Sequence, residues 1–164
     1  MIYLLTGPIN SGKTSWILRD FQHHPKADGF ACKKTWLDGQ HIGYDLLHLP
    51  TGTTCPFIRT PDHIPPDWKE ATRLSERFSF SSAGLVFAHQ IAQNAILKRA
   101  EKFYLDEVGP LELRGDGFCN ILRALIEAQI DLVVVIRESL IDQITAAFEI
   151  KEYTILNQTP TKSG

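Results

Sequence analysis

A chain of 164 residues with 43% hydrophobic and 22% charged side chains has the size of one domain with one sizeable core, and its composition excludes a largely disordered or fibrous protein. The formal net charge of -2 gives no broad electrostatic pull toward nucleic acid or an anionic membrane, so binding to either is not expected and any anion site should be local. The three cysteines, Cys32, Cys55 and Cys119, are odd in number and form no CxxC pair, which points to buried free thiols in a reducing compartment rather than to zinc or a redox motif.

Ile2 to Leu5 is a short apolar run that predicts a buried strand, too brief for a secretory leader. No apolar run approaches the roughly 18 residues that span a bilayer, so the expectation is a cytoplasmic protein. From Lys13 the spacing becomes helical, with Trp16, Ile17 and Phe21 on one face, and Pro25 stops this helix near His23 and His24. Between Gly29 and Thr60 the segments GFACKKTW, IGYDLLHL and CPFIRT alternate with turns, predicting a small antiparallel meander with Asp38-Gly39 in its first hairpin. The stretch TPDHIPPDWKEATRL is rich in proline and predicts a loop.

A long helix is predicted from about Ser82 to Lys102, then a short strand from Lys102 to Leu105 that runs into Asp106 and Glu107. A helix over Gly117 to Ala128 precedes the most apolar strand, Leu132 to Ile136, whose unbroken pattern suits a central position with both faces covered. A helix over Leu140 to Phe148 and a strand over Tyr153 to Leu156 complete the pattern. The expectation is a single domain over residues 1–156, with a polar, flexible tail over 157–164. Its fold class should be α/β, a three-layer sandwich with a mainly parallel central sheet and a small antiparallel extension.

GPINSGKT, Gly7 to Thr14, satisfies the phosphate-loop pattern G-x-x-x-x-G-K-[ST] and lies between a predicted strand and helix. The two glycines let the backbone turn N–H groups inward, and the helix start adds its positive dipole end. The nucleotide-binding candidates are therefore Gly7, Pro8, Ile9, Asn10, Ser11, Gly12, Lys13, Thr14 and Ser15. Lys13 would reach the β- and γ-phosphates, and the Thr14 hydroxyl would ligate Mg²⁺.

FYLDEVG supplies the second half of such a site. Asp106, at the end of an apolar strand, would hold Mg²⁺ through a water, and Glu107 would accept a proton from a water attacking the γ-phosphate. Arg137, just past the apolar strand, either senses the γ-phosphate or pairs on the surface with Glu138 or Asp142. Lys33, Lys34 and Arg59 in the meander either reach phosphate or a partner or lie on a solvated sheet face, and the solvated face is the expectation.

Together these motifs resemble the cancer-related nucleoside-triphosphatases, a family of P-loop enzymes. The resemblance runs from Ile2 to about Leu156 and rests on TGPINSGKT, on GF followed by IGYDL, and above all on LDEVGPLEL, Leu105 to Leu113. It implies a RecA-like sheet and Mg²⁺-dependent hydrolysis of nucleoside triphosphates such as ATP and GTP, with loose base preference. It also marks Glu112, in the family's Glu-Leu position, as a residue that fixes the segment after the metal site. Two departures stand out: Ile9-Asn10 where relatives commonly carry Pro-Gly, and Ser15 where a second Thr is common. Asparagine is among the better non-glycine residues at positive φ, so phosphate binding should survive.

No arginine finger is evident in the sequence. Its absence can cost about 10³ to 10⁵ in rate, so slow turnover is expected. Two other functions share the loop. One is a small-molecule kinase, for which Arg73 and Arg77 offer a lid, although the segment Pro61 to Ser82 is short for one. The other is a nucleotide-dependent switch acting on an unidentified protein partner. A monomer is expected.

Overall fold

The computed structural model describes residues 1–158 as one nine-stranded sheet with helices on both faces. The strands are β1 (Ile2–Thr6), β2 (Ala27–Leu37), β3 (Gln40–His48), β4 (Thr54–Arg59), β5 (Glu70–Leu74), β6 (Phe78–Ser81), β7 (Lys102–Val108), β8 (Asp131–Ile136) and β9 (Thr154–Asn157). The helices are α1 (Lys13–Phe21), α2 (Ser82–Leu97), α3 (Pro110–Leu113), α4 (Cys119–Glu127) and α5 (Ile141–Ala147). Strand order is β5-β6-β4-β3-β2-β7-β8-β1-β9. Pairing is parallel from β2 through β9 and antiparallel from β2 through β5.

Side chains alternate across the parallel strands, and each face finds its own cover. Leu4, Phe103, Leu105, Leu132 and Val134 pack beneath α2, α4 and α5, while Leu5, Tyr104, Val133 and Val135 pack against Ile17 of α1. Both sets are buried, which is why β8 shows no polar alternation and lies between β7 and β1. Among the described residues no helix is long and apolar enough to cross a membrane.

Several boundaries differ from expectation for identifiable reasons. The helix expected to reach Lys102 ends at Leu97, because Arg99 turns left-handed at φ 55° and the Ala100 N–H donates to Ala95 O at 2.9 Å, closing a Schellman turn. The proline-rich stretch is only partly loop: Pro61–His63 forms a 3₁₀ turn, and Glu70–Leu74 pairs with β6 as the sheet's edge hairpin. The antiparallel part therefore carries as many strand pairings as the parallel part and is no small extension. The last strand includes Asn157, and Gln158 N–H donates to Thr6 O at 2.8 Å; the rest of the expected flexible tail lies outside the described residues. Cys32 and Cys119 are buried free thiols, whereas Cys55 is only half-buried.

Arg59 is a further correction. It lies not on a solvated face but 7% exposed, donating to Ile58 O, Tyr44 O and Asp45 Oδ1 at 2.8, 3.2 and 2.7 Å. This pair ties β4 to β3. Removing its acid leaves a buried cation short of a partner, and Asp45 is 27% exposed, so Asp45→Ala should cost about 2 kcal/mol. Thermal denaturation would show the loss as a Tm lower by about 4–8 °C.

Candidate active site

Three neighbouring parallel strands bring their carboxyl ends to one edge of the sheet, where open α/β folds bind ligands. β1 leads into the loop Gly7–Gly12, β7 ends in Asp106-Glu107-Val108, and β8 is followed by Arg137. The loop's turns sit where the sequence allows them. Asn10 takes φ 60°, as its residue type permits, and Gly12 takes φ 86° as the cap of α1. Among the described residues no side chain caps α1, which leaves its first-turn N–H groups to an anion. The Lys13 ammonium folds back over the loop, donating to Gly7 O at 3.0 Å and Pro8 O at 2.8 Å. Pro8, Ile9 and Ser15 are exposed and Ser11 is buried beneath the loop.

Asp106 is fully buried and joins β7 to the loop helix. Its Oδ2 accepts from the Thr14 hydroxyl at 2.9 Å and from the Cys32 N–H at 2.9 Å, while the buried Oδ1 has no partner among the described residues. Burial, reinforced by the Glu107 charge, pushes its carboxyl up to about 7 against the opposing pull of the Cys32 N–H, Thr14 and Lys13.

Glu107 is the next residue, yet it points elsewhere. Leu105 pairs with Val134 and Val108 with Ile136, so two residues on β7 face one on β8 and the strand bulges. At the bulge Glu107 adopts φ 67°, left-handed for a non-glycine residue, which turns its side chain out of the sheet to the exposed edge.

A cavity of about 590 Å³ lies at this edge. The loop residues Gly7 and Ile9–Ser15 line it together with Tyr44, Glu107 and Arg137, so the loop and both outlying candidates share one space. Arg137 makes no ion pair with Glu138 or Asp142 among the described residues, so the surface pairing is not observed. Lys33 and Lys34 are exposed, as a solvated face requires, and they also line the same cavity. Both extend from β2 just past Cys32, whose N–H holds Asp106. Arg73 pairs with Glu70 on the edge hairpin, and neither it nor Arg77 lines the cavity.

Beyond Glu107 and Arg137 a second cavity of about 140 Å³ opens, walled by Phe57, Phe78, Phe80 and Phe118. Glu112 forms part of its floor. The side chain is buried, accepting from the Gly109 N–H at 2.6 Å and the Phe118 N–H at 2.9 Å, so it braces the turn that follows Glu107. Burial raises its carboxyl above the usual range, and those two N–H groups oppose the rise.

The geometry has a counterpart among known proteins. A family model described as NTPase matches residues 2–161. The chain belongs to this NTPase family. A search of the curated proteins found no match. Among solved structures, this NTPase is similar to a human cancer-related nucleoside triphosphatase, with 23% identity, a TM-score of 0.65, and coverage of 96% of this chain and 88% of the other. It is also similar to THEP1 from the hyperthermophile Aquifex aeolicus, with 16% identity, a TM-score of 0.73, and coverage of 98% and 91%. At these identities the likenesses establish the α/β fold, with its parallel core and antiparallel strands, while family membership makes the protein a nucleoside-triphosphate hydrolase.

Proposed function

We propose that this NTPase hydrolyses nucleoside triphosphates to diphosphates and phosphate with Mg²⁺, slowly and with broad base preference. The observation that carries the reading is the division of labour at Asp106-Glu107. One carboxylate is locked onto Thr14, and the next is turned by a strained bulge into the cavity that the phosphate loop lines.

The donor set fits a hard cation. Asp106 Oδ1 is buried without a partner, its Oδ2 lies against the Thr14 hydroxyl, and no cluster of three metal-ligating side chains exists among the described residues. That suits Mg²⁺, which keeps waters and substrate phosphates in its shell. When bound through Thr14 and Asp106 it would neutralise charge on the β- and γ-phosphates.

The chain's own groups supply the rest. Loop N–H groups and the start of α1 cradle the phosphates, and the Lys13 ammonium exchanges Gly7 O and Pro8 O for phosphate oxygens. Glu107 orients a water and accepts its proton, and Arg137 offsets charge on the γ-phosphate. The loop reads the triphosphate common to all substrates, which supports loose base selection. We place the enzyme in the cytoplasm, on its triphosphate substrate and free thiols.

A panel of ATP, GTP, CTP and UTP tests the proposal. Phosphate should be released from all four at similar rates and release should stop with EDTA; release from one base only, or release unaffected by EDTA, contradicts it. One observation favours a second reading: the aromatic-walled cavity shares Glu107 and Arg137 with the phosphate cavity, as a phosphoryl acceptor site would. Under that reading phosphate appears on an added acceptor rather than free in solution.

A further inference from the structure

The charged lining of the phosphate cavity is unbalanced. Lys13, Lys33, Lys34 and Arg137 face a single acid, Glu107, and none of these four cations makes an ion pair among the described residues. Lys26, by contrast, has Glu101 at 2.7 Å. Gathering cations without acids is electrostatically costly, and a polyanionic ligand relieves the cost. Lys13 and Arg137 have places in the reading above; Lys34 does not.

Its position is specific. β2 pairs with β7 as far as Phe30 opposite Leu105 and then continues past the bulge, which carries Lys34 to the loop and into the lining of the cavity. The Lys34 Nζ donates to Asn10 Oδ1 at 2.5 Å, inside the arc between Gly7 and Gly12. Asn10 is one of the two residues that set this loop apart, and its left-handed backbone holds the amide toward the cavity mouth. A neutral amide oxygen is a weak partner for an ammonium. A phosphate oxygen adds a full opposite charge to the charge the ammonium already brings, and would draw Lys34 from the amide.

We propose that Lys34 is a further phosphate ligand, a cation supplied in cis that rests on Asn10 and transfers to the terminal phosphate of the bound triphosphate. This rests on the nucleoside-triphosphate reading of the site and adds to it a basis for distinguishing triphosphate from diphosphate. Asn10 is thereby the resting station of the cation.

The test is a binding titration of the full chain with Mg²⁺ and either ADP or the non-hydrolysable β,γ-imido analogue of ATP. Lys34→Met should weaken the triphosphate analogue about tenfold or more, the scale of one charge-assisted hydrogen bond, and leave ADP nearly unaffected. Lys34→Arg should restore most of the difference. The same Lys34→Met loss should persist in an Asn10→Ala background, because the phosphate and not the amide is the working partner. Equal losses for both nucleotides, or a loss that vanishes in the Asn10→Ala background, would show that Lys34 only ties the loop and would overturn the proposal. A parent protein that binds ADP and the triphosphate analogue equally well overturns the Lys34 assignment alone. A parent that binds neither overturns the nucleotide reading and this assignment with it.

Discussion

Glu107→Gln should lower the rate of phosphate release by about 10² to 10⁴ while nucleotide affinity stays close to that of the parent. The substitution preserves shape and replaces a carboxylate that accepts a proton with an amide that does not. The side chain is exposed and makes no hydrogen bond among the described residues, and its charge opposes the ionisation of buried Asp106, so neutralising it should not weaken the fold. The backbone does bear on stability. At φ 67° the residue pays about 1–2 kcal/mol in backbone strain, of which glycine would recover part after its own entropic cost. Glu107→Gly should therefore be as inactive as the Gln variant yet melt about 2 °C above the parent. Stability rising as activity falls marks a strained functional position. Parent-like release by Glu107→Gln would remove Glu107 from the mechanism.

Glu112→Ala should produce the largest loss of stability among these substitutions. It leaves the Gly109 and Phe118 N–H groups without their acceptor, and each unmet buried donor costs about 1–3 kcal/mol. A combined cost of about 2–4 kcal/mol corresponds to a Tm lower by about 5–15 °C. Glu112→Gln keeps one acceptor oxygen and should lose about half as much. Gly117 is matched to this carboxylate: at φ 58°, a Cβ there would stand 2.3 Å from Glu112 Oε1. Gly117→Ala should thus destabilise the same turn by crowding the Glu112 carboxylate, with the acid itself retained. An unchanged Tm for Glu112→Ala would show that the brace is dispensable.

The parts legible in the sequence are those in which local pattern and chemistry coincide. Gly7 to Thr14 carries its spacing, its flanking strand and its flanking helix, and Asp106 follows an apolar run. Leu132–Ile136 lacks polar residues because both faces of β8 are covered. The edge hairpin was illegible because Glu70–Leu74 is a mostly exposed strand with no apolar alternation, preceded by the prolines that broke the pattern. Arg59 looked like a surface residue because nothing local reveals that Asp45 meets it across two strands. Lys33 and Lys34 follow the same logic, since their approach to the loop depends on β2 pairing with β7 across 70-odd residues of chain. The bulge that separates the orientations of Asp106 and Glu107 is likewise a property of the pairing with β8. Glu112 was marked by resemblance alone; its work is done by two backbone donors that no side-chain pattern announces.

In the proposed reaction water, activated at Glu107, attacks the γ-phosphorus. Hydrolysis of ATP in ¹⁸O-labelled water, with the products read by mass spectrometry, tests it most directly. Label should appear in the released inorganic phosphate and not in ADP. Label in ADP, or a γ-phosphate recovered on another molecule instead of as labelled inorganic phosphate, would contradict it.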